Sequence, residues 1–416
     1  MRSNYRRIGD YIQIVDERNA GLKVQKLLGL SISKQFIPSV ANIIGTDMEN
    51  YKIIRKNQFA CSTMQVRRDK KMPVALLQEV DEAIISQAYP IFEVKDESLL
   101  LPEYLMMWFT RSEFDREACF NAVGGVRGSL EWEDFTDMQL PIPSISKQRE
   151  IVKEYNVVQN RITLNQQLIQ KLEETAQAIY KRWFVEFEFP DEKGKPYKSN
   201  GGEMVWCEEL GKEVPKGWQM GYLGDVVELF ISKRGKSKST MNLQHYGQEF
   251  RFPVVSAMNI NNGKIVKFET IPYIDQNEFD EWMNTKLEID DVIMTSEAPL
   301  GVTYYIAMNT DIAISQRLFA IRTKKKILSG WYLYLWLNTP NAKQQLEGRS
   351  SGTTVFGIKL SELKKLNILI PTTVINKQFF NLEVDIAKHI EFKNKENQKL
   401  SELKDLLLSK LATIEN

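Results

Sequence analysis

The chain repeats itself. Tyr104-Leu105-Met106-Met107-Trp108 returns as Tyr332-Leu333-Tyr334-Leu335-Trp336, 228 residues later. Ile142-Pro143 returns as Ile370-Pro371 and Gln170-Lys171-Leu172 as Gln398-Lys399-Leu400 at the same interval, and Ile85-Ser86-Gln87 returns as Ile314-Ser315-Gln316 at 229. Near the start, Ile8-Gly9-Asp10 matches Leu223-Gly224-Asp225 at 215, so the second copy carries roughly 14 extra residues before Ser315. Any one match is short, but matches in one order over most of the chain describe a duplicated module. Two copies imply two similar sites, for which a single-site enzyme has no use.

Each copy mixes strand and helix signals. Ala83–Phe92 and Asp291–Thr295 read as strands, whereas Pro102–Arg116 and Ser329–Leu337 read as helices whose tyrosine–tryptophan stripe faces a core. A long helix closes each copy. In the first, Ile151, Tyr155, Val158, Ile162, Asn165, Ile169, Leu172, Ala176, Ile179 and Trp183 alternate in steps of four and three, a heptad seam with one polar member. In the second, Phe379, Ile386, Ile390, Asn397, Leu400, Leu403, Leu407 and Leu411 form a less regular seam, again broken by an asparagine. Between the copies, Pro190 to Gly202 is rich in proline, glycine and charge and reads as a linker.

Composition narrows the chemistry. Net charge is only +1 over 416 residues, which excludes a uniformly basic coat but not local basic patches. The three cysteines and two histidines are scattered, so neither a disulfide framework nor a zinc site is expected, and a reduced, cytoplasmic setting is. No signal-like segment opens the chain, and no apolar run reaches the ~20 residues that cross a bilayer. Gly235-Lys236-Ser237 lacks the upstream glycine of a phosphate loop, since position 230 is Phe. Gly124–Gly128 lacks the dinucleotide spacing, and no Ser/His/Asp set suggests itself.

The basic clusters are the candidate DNA contacts. Lys34, Arg67, Arg68, Lys70 and Lys71 mark the first copy, and Lys233, Arg234 and Lys236 the second. Arg127 in one glycine-rich turn, with Arg349, Thr353 and Thr354 in another, could approach a backbone closely. The acidic run from Asp275 to Asp291 should face away from DNA.

Taken together, Trp183-Phe184-Val185-Glu186-Phe187, Gly202-Glu203-Met204-Val205, Pro215-Lys216-Gly217-Trp218 and Leu223-Gly224-Asp225 resemble the specificity subunits of Type I restriction-modification enzymes. Ser39-Val40-Ala41-Asn42 and Ile85-Ser86-Gln87-Ala88-Tyr89 add to the likeness; the first copy lacks the Pro-Lys-Gly-Trp lead-in.

The resemblance implies an α+β chain with two target-recognition domains, separated by two long helices packed as an antiparallel coiled coil. The expected division is domain one at 1–143, helix one at 144–187, a linker at 188–212, domain two at 213–371 and helix two at 372–416. Antiparallel packing would bring Asn165 and Asn397 to one level.

The resemblance also implies that each domain reads one half of a bipartite, asymmetric sequence in double-stranded DNA, while the helices set the unread gap. Two modification (methyltransferase) subunits would dock on helix residues such as Ile151, Tyr155, Val158, Ile162, Asn165, Ile169, Leu172, Asn397, Leu400, Leu407 and Leu411. They would bring S-adenosylmethionine, and the restriction (motor and nuclease) subunits would bring ATP and Mg. The chain itself would hold no cofactor or metal, catalyse nothing and touch no membrane.

Overall fold

The computed structural model describes residues 4–39, 46–125, 128–233, 251–261, 263–352 and 355–414. They form two compact units. The first combines residues 1–164 with 397–416, and the second is 165–396.

The duplication is visible strand by strand. In the first unit a four-stranded antiparallel sheet runs in the order Ile12–Val15, Ile91–Val94, Phe59–Cys61, Val74–Leu76. In the second, Val227–Ser232, Leu318–Thr323, Val292–Thr295 and Thr303–Tyr305 repeat that order. Ile12 pairs with Val94, and Val227 with Thr323, so the sequence offsets persist as register. A two-stranded ladder beside each sheet does the same, with Tyr5 opposite Pro141 and Met220 opposite Leu369.

Two ties anchor each domain. Tyr104 Oη donates to Pro141 O at 3.1 Å, and Tyr332 Oη to Leu369 O at 2.7 Å, so the repeated tyrosine stripe is core. The second tie joins each long helix to its domain. Gln148 Oε1 accepts from Leu101 N at 2.9 Å, and Asn376 Oδ1 accepts from Ser329 N at 3.1 Å. Both side chains are buried amides, satisfied where a helix begins and loose N–H groups need acceptors.

Some local expectations change. Ala83–Phe92 is two strands, Glu82–Ile85 and Ile91–Val94, split by a turn. Pro102–Arg116 is two helices, Pro102–Thr110 and Ser112–Asn121, because Arg111 is extended (φ −66°, ψ 143°).

The stretch expected to be a linker is folded. Phe189 stacks between Tyr197 (4.5 Å) and Trp218 (5.3 Å), and Met204–Cys207 pairs with Lys212–Pro215. Three stacked aromatic rings offset the entropy of ordering this polar segment. Gly217, at φ 84°, makes the turn that delivers Trp218 to the cluster.

The long helices are Ile145–Phe184 and Thr373–Lys410. Within each unit they run antiparallel. In the first, Ile151 and Tyr155 share a core with Leu408 and Leu411, and Lys404 Nζ donates to Gln159 Oε1 at 3.2 Å. In the second, Phe379 packs against Trp183 (5.6 Å) and Phe184 (4.7 Å), while Ala176 and Ala387 join the same core. The first seam is inward as the heptad spacing predicts. The second is not a plain heptad: Leu403 is exposed, Leu408 is buried, and Glu383 and Glu391 lie on the inner face. Glu383 is inside because its Oε2 accepts from Trp331 Nε1 at 2.7 Å.

Candidate nucleic-acid interface

The clearest paired feature is a loop next to a turn, present once per unit. In the first unit the loop after Phe59–Cys61 lies beside the glycine-rich turn that follows Ser112–Asn121, and Leu130 N donates to Thr63 O at 2.9 Å. In the second, the loop after Val292–Thr295 lies beside the turn that follows Pro340–Gly348, and Ile358 N donates to Ser296 O at 3.0 Å. A bridge closes each turn, Val123 with Ser129 and Ser351 with Gly357, each pair 228 residues from its counterpart. Glycine is required here: Gly352 sits at φ 141°, and a Cβ on it would collide with Val355 O. Sequence reading picked both turns separately; the structure makes them one element in two copies.

Different side chains occupy this shared frame. In the first unit Arg67 Nη1 donates to Gly124 O at 3.0 Å and Nη2 to Ala122 O, while a Cβ on Gly128 would press on Arg67 Cβ at 2.6 Å. The arginine therefore braces the turn. Arg68 is paired with Asp69 (2.6 Å), and Lys70 and Lys71 point to solvent next to it. In the second unit Glu297 bridges to Gly357 across the turn, and Arg317 Nε meets Glu297 Oε1 at 2.8 Å. Neither residue was among the sequence candidates, because isolated residues outside a basic run give no compositional signal.

Several candidates are reassigned. Lys34 is 9% exposed, forms an ion pair with Asp115 (2.8 Å) and donates to Phe109 O. Desolvation lowers its pKa, Asp115 opposes that shift, and its charge serves the domain's interior. Lys233 is 3% exposed, with its Nζ 3.4 Å from Asn284 Oδ1 and over the Trp282 ring. Arg349 ends the helix Pro340–Gly348 and pairs with Glu362 at 3.6 Å. Arg127, Arg234, Lys236, Thr353 and Thr354, with Val40-Ala41-Asn42, lie outside the described residues.

The acidic run is not all surface. Asp291 takes Arg322 in two hydrogen bonds (2.9 and 2.8 Å), which raises the arginine pKa. Asp290 accepts from Gly330 N (2.8 Å), Trp331 N (3.1 Å) and Tyr305 Oη (2.8 Å). The helix seam residues are likewise interior: Val158, Ile162, Asn165, Ile169 and Leu411 are buried within the chain, so they hold helices together and offer no docking face.

Among the described residues, no group of His, Cys, Asp and Glu has the geometry to hold a metal, and no helix is long and apolar enough to cross a membrane. The cysteines are free, and burial pushes the Cys61 thiol up to about 12.

Comparison with known proteins agrees with this geometry. The family model described as the Type I restriction modification DNA specificity domain matches residues 40–174 and again 215–402. The chain is 21% identical to the HindI specificity subunit of Haemophilus influenzae, over 89% of each chain. It is 23% identical to the MjaIX specificity subunit of Methanocaldococcus jannaschii, over 75% of this chain and 68% of that one. It shares its fold with the crystal structure of a Type-I restriction-modification system S subunit from M. genitalium. The TM-score is 0.59 at 15% identity, covering 99% of this chain and 96% of the other.

Proposed function

The chain belongs to the Type I restriction modification DNA specificity family, and from that premise we propose how its two units share the work. Each unit reads one half of a bipartite DNA sequence, and the antiparallel helices fix the interval between the halves. The observation that carries this reading is the duplicated loop-and-turn frame fitted with unlike side chains: Arg67 and its lysines in one unit, Glu297 and Arg317 in the other. A common scaffold with differently furnished loops suits two different half-sequences. Lys70 and Lys71 supply phosphate attraction beside the first turn.

The outward helix faces, where Val157 and Leu164 of the first unit are exposed one heptad apart, receive the modification subunits. Those partners bring S-adenosylmethionine, and restriction subunits bring ATP and Mg. The chain itself contributes recognition and no chemistry, in the cytoplasm.

The test is reconstitution of the chain with its modification subunits, followed by mapping of methylated bases in genomic DNA. Two short half-sequences at one fixed interval are expected. A single contiguous sequence, or methylation without sequence preference, would refute the reading.

A further inference from the structure

We infer that Arg317 reads a base in the half-sequence assigned to the second unit, and that Glu297 is the positioning residue that aims it; the inference rests on the proposed function. It begins from a coincidence of place. In the first unit the arginine beside the glycine turn is Arg67, from the loop after Phe59–Cys61. In the second unit Arg349 enters the equivalent turn already paired with Glu362, and the arginine brought beside it by a loop is Arg317, before Leu318–Thr323. These positions do not correspond in the repeat. Ala88 stands where register would place a counterpart of Arg317, and Leu300 where it would place one of Arg67. The duplication therefore did not copy an arginine; two loops each deliver one to the same place.

The two arginines are held differently. Arg67 spends both terminal nitrogens on the carbonyls of Gly124 and Ala122, so its guanidinium is consumed by the fold. Arg317 is held through Nε alone, at 2.8 Å from Glu297 Oε1, with its side chain 60% exposed. Among the described residues its two Nη groups have no other ion-pair or hydrogen-bond partner. Those groups form the edge that pairs with guanine O6 and N7.

Glu297 distinguishes base reading from phosphate binding. A carboxylate on a DNA-facing loop repels the backbone, and a phosphate contact needs no aimed guanidinium. A bidentate base contact does need one, because both hydrogen bonds must be met in one plane. Glu297 is itself fixed. It bridges to Gly357, a Cβ on Gly357 would press on its side chain at 3.1 Å, and Ser296 N donates to Arg317 O at 2.9 Å. The bridge fixes the Glu297 backbone, and its carboxylate, in ion-pair contact with Nε, biases where the guanidinium lies.

The experiment maps methylation by the reconstituted complex carrying Arg317→Ala, Arg317→Lys or Glu297→Gln. Loss of discrimination by about tenfold or more is expected at a single base pair of one half-sequence with Arg317→Ala, with the other half unchanged. Arg317→Lys keeps the charge but not the fork, so it should relax the same base pair while overall affinity holds. Glu297→Gln should relax that position less. A uniform loss at all sequences, with a salt slope smaller by about one and rescue by lysine, would make Arg317 a phosphate contact and overturn the inference. Unchanged discrimination in all three variants would overturn it too. If the wild-type complex recognises no bipartite sequence, the proposed function is what fails, and that control is read first.

Discussion

Glu383 makes the stability of the second unit depend on pH. It lies on the inner face of the second long helix with no measurable exposure, and burial raises its pKa to about 8 from an ordinary 4.5. Its Oε2 accepts from Trp331 Nε1 at 2.7 Å, which opposes the shift, and its Oε1 has no partner among the described residues. Below about pH 4.5 the folded and unfolded chains both hold the proton, and ionisation costs nothing. Between 4.5 and 8 the unfolded chain releases its proton while the folded one keeps it, so stability declines steadily. Above 8 the folded chain must bury the charge, and the loss is complete.

Three and a half units at about 1.4 kcal/mol each set a ceiling of about 5 kcal/mol. Relaxation around the charge brings the working figure to about 2–3 kcal/mol. Glu383→Gln keeps an acceptor for the indole and cannot ionise. Thermal melts at pH 5 should differ by less than about 1 kcal/mol. At pH 8.5 the variant should melt roughly 4–10 °C above the wild type. The same difference at both pH values would show that shape, and not ionisation, governs the site.

Phe379→Ala should cost about 3–5 kcal/mol, read as a lower melting temperature of the second unit, because the ring fills the junction of Trp183 and Phe184. Lys70→Ala with Lys71→Ala should weaken binding to all DNA sequences alike and reduce the salt slope by up to about two in a fluorescence titration; a changed methylation sequence would refute a phosphate role. Four residues inserted after Gln170 lengthen the first long helix by about 6 Å, so mapped methylation sites should gain one or two base pairs between unchanged half-sequences. An active variant with unaltered spacing would sink the idea that the helices set the interval.

What was legible in the sequence was what repeats or has a period. The 228-residue interval survives as the Tyr104 and Tyr332 ties and the two turn-closing bridges. The first helix seam was legible because Val158, Ile162 and Ile169 keep strict spacing. The second was less so, because Glu383 breaks the apolar pattern and only its hydrogen bond to Trp331, 52 residues away, explains why it is inside. The reading site was obscured for a related reason. The candidates included Lys34 and Lys233, which the fold buries, whereas Glu297 and Arg317 are 20 residues apart and meet only through strand pairing. The linker reading followed composition and could not weigh the stack of Phe189, Tyr197 and Trp218.

The first unit is built from both ends of its chain, and this reverses the usual order of events on a ribosome. Leu408 and Leu411 complete a core that begins at Ile8, whereas residues 165–396 are contiguous. Domains generally fold as units, in the order in which they emerge. Here the segment translated first must wait, with Ile151 and Tyr155 uncovered, until the last helical turns leave the exit tunnel. The unit in the middle of the message has all of its residues once position 396 is translated, 20 residues sooner. A released chain that lacks the residues after 396 thus carries a second unit complete in sequence and an unfinished first unit, and that unit is the one exposed to chaperones and proteases.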